Sequence, residues 1–319
     1  MRASSFTVCI LATALCAPLA GVRAHGIDVQ TVVAGTAHEA LFSLVLSGDA
    51  GVAVGAAGQL LESADAGKTW RPVTPAPTPL ALLAVGIDSG RAIAVGQQGV
   101  ILTRSESGRW TAVSSGTDAR LLAVSLNSAG RIVAGGAFGV VLKSDDGGTH
   151  WASIAPKWAD YTEQGADPHV YGVKVDMAGT ITIDGEFGLI LRSNDGGATW
   201  QGLRKGDASL FALDLRDDGG GYAVGQNGTV LRTRDGGSTW QPVDIGSTAN
   251  LLGVASSANG TVYIVGMHEL LASADDGRTW QRTTSPERAL PWLAGVAMTA
   301  ESTAAVAVGY AGRIVRLER

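Results

Sequence analysis

Six tryptophans each close a copy of one short acidic run, and these runs are the first place to look for chemistry. Four copies obey Ser/Thr-x-Asp-x-Gly-x-Thr-Trp in full: SADAGKTW, SNDGGATW, TRDGGSTW and SADDGRTW, ending at Trp70, Trp200, Trp240 and Trp280. SDDGGTHW, ending at Trp151, has His150 in the Thr place, and SESGRW, ending at Trp110, is one residue short with Glu106 as its acid. Carboxylates beside glycine suggest a calcium loop, so Asp65, Asp146, Asp195, Asp235 and Asp275 are candidate ligands. A calcium ion takes about six to eight oxygens, however, and the EF-hand loop ends in a distal glutamate that these runs lack. A local reading needs no ion. Asp or Ser beside a tight turn accepts backbone N–H groups, Gly takes the positive-φ position, and the Trp carries a large apolar ring onto the next strand. The expectation is a structural turn with no metal and no cofactor.

Other catalytic signatures fall away on inspection. Ala66-Gly67-Lys68-Thr69 imitates the end of a phosphate-binding loop, but that loop needs a Gly five residues before Gly67, where Glu62 stands. No G-x-S-x-G elbow occurs, and His25, His38, His150, His169 and His268 include no pair at metal-ligand spacing. A sialidase-like glycosidase would need an arginine cluster and a Tyr nucleophile with an acid beside it. Tyr222 and Tyr263 sit in apolar strand patterns, where a core role is expected. The chain is therefore read as a non-enzyme, with the glycosidase as an alternative.

The elements that carry these turns follow from the tryptophan spacing of 40, 41, 49, 40 and 40 residues, which is the length of a four-stranded propeller blade. The fifth unit shows the parts: LFALDLR, GYAVG, the turn GQNG, TVLRT, the turn RDGGST, then WQPV. Each segment is short, apolar or β-branched, and bounded by Gly, Asn or Asp. Equivalent units begin near 41, 82, 121, 170, 210 and 251, and a seventh near 292 stops after three strands. An open ring would expose unpaired edges. The strand-like stretch IDVQTVVAGT, 27–36, is expected to supply the missing outer strand and close an all-β, seven-bladed propeller of four-stranded antiparallel blades.

Composition agrees with many short strands and tight turns: 44 of 319 residues are glycine and 17% are charged. Residues 1–24 read as a secretory signal peptide, with Arg2 before an apolar run and Val22-Arg23-Ala24 as the cleavage site. A lipoprotein anchor at Cys16 is disfavoured by Leu15 before it. Both cysteines, Cys9 and Cys16, lie inside that leader, so a single mature domain over 25–319 is expected to stand without disulfides. The leader takes with it two arginines and no acid, leaving 22 basic against 29 acidic residues, a balance of −7. That argues against nucleic-acid binding. No later segment offers the ~18 apolar residues of a spanning helix, so no membrane insertion is expected.

Two features remain for function. PKWADYTEQGADPHVYGV, 156–173, stretches one tryptophan spacing to 49. It joins the outer strand of blade three to the inner strand of blade four, on the face away from the acidic turns. The turns between second and third strands lie on that same face, so Trp158, Tyr161 and His169 are placed near Phe138, Glu186 and Phe187. They form either a partner anchor or a cover over their own blade. The second feature is a basic residue at one strand position in four blades: Lys143, Arg192, Arg232 and Arg316. These form either a patch for an acidic or polar client segment or hydrogen bonds to a neighbouring blade or turn.

The eight-residue run resembles the Asp-box, or bacterial neuraminidase repeat. The whole unit, with AVGQNGTVLRTRDGGSTW its best copy, resembles the photosystem II stability and assembly factor family. The resemblance implies an exported seven-bladed propeller, without known catalysis, that escorts a membrane-protein complex or its assembly intermediate. It also implies that the Asp-boxes lie opposite the usual ligand face. The expected location is the periplasm, or the thylakoid lumen in a photosynthetic organism, and the expected state is a monomer. An accessory subunit of an envelope transporter is the other non-enzymatic reading.

Overall fold

The computed structural model describes residues 26–105, 107–283 and 291–319. The leader read at 1–24 with its two cysteines, His25, and Glu106 of the short second turn lie outside the described residues. No helix among those described is long and apolar enough to cross a membrane.

Seven four-stranded antiparallel sheets form the ring. Blade four runs Val170–Val175, Ile181–Gly185, Ile190–Ser193 and Gln201–Arg204, and blade five runs Leu210–Leu215, Gly221–Gly225, Val230–Thr233 and Gln241–Pro242. The other first strands start at Leu41, Leu82, Leu121, Leu251 and Leu293, within a residue of the repeat starts read from the sequence. Second strands are buried on both faces, because each is sandwiched between neighbouring sheets. Their sequences, such as GYAVG and VYIVG, accordingly read as continuous apolar runs rather than alternating ones. Between blades one and two, for instance, Val52, Val54 and Leu60 pack on Leu82, Val85 and Ala94.

Every first strand carries a one-residue irregularity after its opening residue, as between Val170 and Gly172. Such a bulge leaves a residue out of the ladder and re-aims it. The residues so released, Phe42, Leu83, Leu122, Tyr171, Phe211, Leu252 and Ala294, help line one axial cavity of about 210 Å³. These seven side chains thus ring a channel whose exposed surface is mostly polar.

The last blade is built from both ends of the described chain. Asp28–Val33 pairs antiparallel with Ile314–Glu318, setting Val29 opposite Leu317, Gln30 opposite Arg316 and Thr31 opposite Val315. Ile27 joins Val315 and Leu317 in a buried cluster. The expected closure is present, and it removes the edge that three strands alone would leave bare.

Candidate functional site

The acidic turns are closed systems. In the first, Ser63 Oγ donates to Asp65 Oδ1 at 2.8 Å and accepts from the Gly67 N–H at 2.9 Å. The Thr69 N–H gives to Asp65 Oδ1 at 2.8 Å and its hydroxyl to Oδ2 at 2.6 Å. The Trp70 indole N–H reaches back to the Gly67 carbonyl at 3.0 Å. Asp195, Asp235 and Asp275 repeat this pattern with Thr199, Thr239 and Thr279. In the variant copy His150 Nδ1 stands 2.6 Å from Asp146 Oδ2, taking over the threonine's partner, while Trp151 donates to Gly148. Trp240 likewise bonds its own turn, but Trp200 donates instead to the Ile154 carbonyl of blade three. Each carboxylate is engaged by its own turn, as a structural role requires. No group of three metal-ligating side chains occurs among the described residues.

The four basic residues do not open onto a shared patch. Arg192 donates to the Ser238 hydroxyl at 2.9 Å and to the Gly236 carbonyl, both in the acidic turn of the next blade. Arg232 does the same to the Asp276 carbonyl of blade six. Lys143 pairs with Asp145 of its own turn at 3.0 Å, and Arg316 with Glu301 and Glu318 at 2.7 and 2.6 Å. Each sits one residue before a buried Ser or Thr, or at the closing strand, so the next turn lies within reach. The geometry is that of side chains spent on blade contacts rather than of a free receptor for a client.

The opposite face is where exposed apolar groups collect. Among the described residues the exposed large hydrophobics are Phe138, Met177, Phe187, Met267 and Tyr310, and all but Met177 belong to turns between second and third strands. In each such turn one non-glycine residue holds a left-handed backbone: Ala57, Gln98, Phe138, Phe187, Asn227, His268 and Ala311. Asn suits that region, whereas a bulky ring there is costly. Phe138 and Phe187 nevertheless adopt φ of 55° and 58° with side chains 68% and 41% exposed.

Backbone hydrogen bonds join these turns to the incoming loops. Ala137 N–H donates to the Arg120 carbonyl, Gly139 to Pro168, Glu186 to His169 and Gly206 to Phe187, at 2.8 to 3.1 Å. The Glu186 carboxylate accepts from the His169 N–H at 2.8 Å and lies 3.1 Å from its Nδ1. Ring contacts then run from Phe138 to His169 at 5.1 Å, His169 to Tyr171 at 5.9 Å and Tyr171 to Phe211 at 5.3 Å. The result is a continuous aromatic strip from the rim of blade three to the channel mouth.

Two of the insertion's aromatics are not on that strip. Trp158 is buried, its indole donating to the Gly139 carbonyl at 3.0 Å, and Tyr161 donates to the Trp200 carbonyl at 2.6 Å. They clamp the insertion onto blades three and four, so the cover reading describes them, while His169 contacts both Phe138 and Glu186 and Phe187 follows Glu186 in the same turn. Sequence reasoning missed Tyr171 and Phe211. Their signal was the residue after the opening Leu or Val of each repeat, apolar all round the ring.

Two further groups bear on chemistry. Tyr222 is fully buried with its hydroxyl 3.1 Å from Asp276 Oδ1, and burial, reinforced by Asp276, pushes its pKa far up. Tyr263 is equally buried and donates to the Thr303 carbonyl, and burial raises its pKa as well. Both shifts oppose what a phenolate nucleophile needs. Asp184 is buried within blade four beside Leu213 of blade five, and neither of its oxygens makes a hydrogen bond of normal geometry. Burial lifts its pKa to about 7, which the nearby Gly172 N–H only partly opposes.

Fold and site together define a seven-bladed β-propeller whose acidic turns are closed by their own hydrogen bonds and whose opposite face presents aromatic side chains. Residues 205–318 match the family model described as photosynthesis system II assembly factor YCF48, so the resemblance carried by the repeats stands on the last three blades. Among solved structures the chain is similar to YCF48 from Cyanidioschyzon merolae, with 19% identity and a TM-score of 0.71 over 92% of this chain and 99% of that one. It is also similar to YCF48 bound to D1 peptide, with 16% identity and a TM-score of 0.70 over 93% and 97% of the two chains. A GH74 xyloglucanase from Xanthomonas campestris matches with 13% identity and a TM-score of 0.72, over 91% of this chain and 53% of that one. At these identities the solved structures show the fold. No curated protein matches the chain.

Proposed function

We propose that this propeller is an exported, non-catalytic, monomeric assembly factor that holds a segment of a membrane-protein client on the face opposite its acidic turns. The observation that carries the reading is the pair of phenylalanines, Phe138 and Phe187, held in left-handed backbone with their rings in solvent. Large exposed rings kept at a turn position where other blades have Ala, Gln, Asn or His point to a use outside the free chain. A propeller of similar fold whose name records a bound D1 peptide supports a peptide-holding role. Export rests on the leader read at 1–24, and the periplasm, or the lumen of a photosynthetic membrane, is the compartment proposed.

The test is crosslinking in envelope fractions, with the captured membrane protein identified by mass and followed in the Phe138→Ser, Phe187→Asn double variant. Asn already occupies the equivalent position at Asn227, so the variant is expected to melt no lower than the parent and to lose the client. Retention of the client at parental levels overturns the proposal.

A further inference from the structure

The charge around the aromatic strip specifies what it would hold. Asp118, Asp167 and Asp207 lie exposed in the loops leading into blades three, four and five, and no hydrogen bond or ion pair is formed by their side chains among the described residues. Those loops are tied to the Phe138 and Phe187 turns by the backbone bonds of Arg120, Pro168, His169 and Gly206. Glu186 meets His169 of the strip and precedes Phe187 in its turn. Against these four carboxylates the strip has one exposed guanidinium, Arg120. Of the neighbouring cations, Lys205 is paired with Glu163 at 3.2 Å, and Arg204 is spent on the Gly188 carbonyl at 2.9 Å. Lys157 is exposed and so is Asp160 three residues on, so together they add no net charge.

Resting on the docking face argued above, we infer that the occupant is an extended, cationic segment: lysine or arginine side chains alternating with apolar ones. The faces of Phe138, Tyr171 and Phe211 attract a cation through the ring quadrupole. The flanking carboxylates complete its recognition and steer its approach. The channel mouth, ringed by Phe42, Leu83, Leu122, Tyr171, Phe211, Leu252 and Ala294, takes the intervening apolar side chain. An anionic lipid surface or an acidic peptide would meet like charge here.

The full mature chain tests this with three fluorescent peptides read by anisotropy: one alternating Arg with Leu and Phe, the same peptide with Glu for Arg, and the same with Ser for Leu and Phe. The Arg peptide is expected to bind at least about tenfold tighter than either control, with affinity falling as salt rises. Phe138→Ser with Phe187→Asn is expected to weaken it about tenfold. Asp167→Asn with Asp207→Asn should weaken it about threefold and flatten the salt dependence. Equal or tighter binding of the Glu peptide, or Arg-peptide binding indifferent to all these substitutions, overturns the inference. If the Glu peptide wins while the phenylalanine variant still loses its captured client, the charge assignment fails and the docking face stands. If the phenylalanine variant loses neither, both fail.

Discussion

Trp158 gives its indole N–H to the carbonyl of Gly139, one residue from Phe138, so a buried ring supports the very turn whose neighbouring ring stands in solvent. A Cβ at Gly139 would lie 2.3 Å from the indole nitrogen, so the turn and the tryptophan fit only with glycine there. Trp158→Ala is expected to cost about 3 kcal/mol, the price of a buried aromatic removed from a core. It should also open 156–169 to proteolysis. Phe138→Ser is expected to stay within about 0.5 kcal/mol of the parent. Denaturant titration of the two variants checks the contrast, and equal losses would refute it.

Asp184 is a cost that the blade carries. At the equivalent register, opposite the residue after the bulge, other blades have Val54, Val95, Gly135, Val224, Val265 and Val308. Asp184→Val is expected to stabilise the protein by about 1–3 kcal/mol at pH 8, by removing a buried carboxyl without a proper partner. Because the folded-state pKa is raised to about 7 from 3.8, the folded chain keeps a proton that the unfolded chain releases. Stability from this group is therefore complete below pH ~3.8 and lost as pH rises through ~7. The advantage of the variant should widen across that window and level off above it. A gap that is constant from pH 4 to 8 would contradict the assignment.

The acidic turns have the opposite pH signature. Asp65 and Asp195 are held down to about 2 chiefly by the Thr hydroxyl and then the Thr N–H, and Asp235 by the same two groups in reverse order. Their contribution is present above the ordinary value near 3.8 and is lost as pH falls through ~2. Thermal melts should show this acid limb, and replacing Asp235 with Ala should lower the melting temperature and blunt it. Prolonged treatment with a chelator is expected to leave the melt unchanged, and a drop would revive the calcium reading.

Ring closure is testable by shortening. A chain beginning at Phe42 loses the strand that covers Val315 and Leu317, and it should melt at lower temperature and self-associate through the bared edge. Size-exclusion chromatography and calorimetry read both effects. Parental stability in a monomer would mean that the closing strand contributes nothing.

The architecture was legible because the turn chemistry is local and recurs: Gly, Asp and Trp punctuate each unit, and an uneven strand count in the last one points to a strand elsewhere. The rim phenylalanines were legible for the same reason. The insertion was harder to read, since a stretch without a period does not say which ring turns inward, and Trp158 and Tyr161 turned inward. The depth of Arg192 and Arg232 followed from strand alternation, but their partners belong to the next blade, which no single repeat contains. Asp184 was visible all along as the one acid in a column of Val and Gly, and alignment of the second strands would have exposed it.

Pairing Asp28 with Glu318 also sets a schedule. Asp28–Val33 can pair only once Ile314–Glu318 is present, so this joint has the greatest sequence separation of any strand pairing in the ring and is of the kind that forms slowly. A chain cut short before Ile314 would leave the last blade without its outer pair of strands and bare an edge open to association with another sheet.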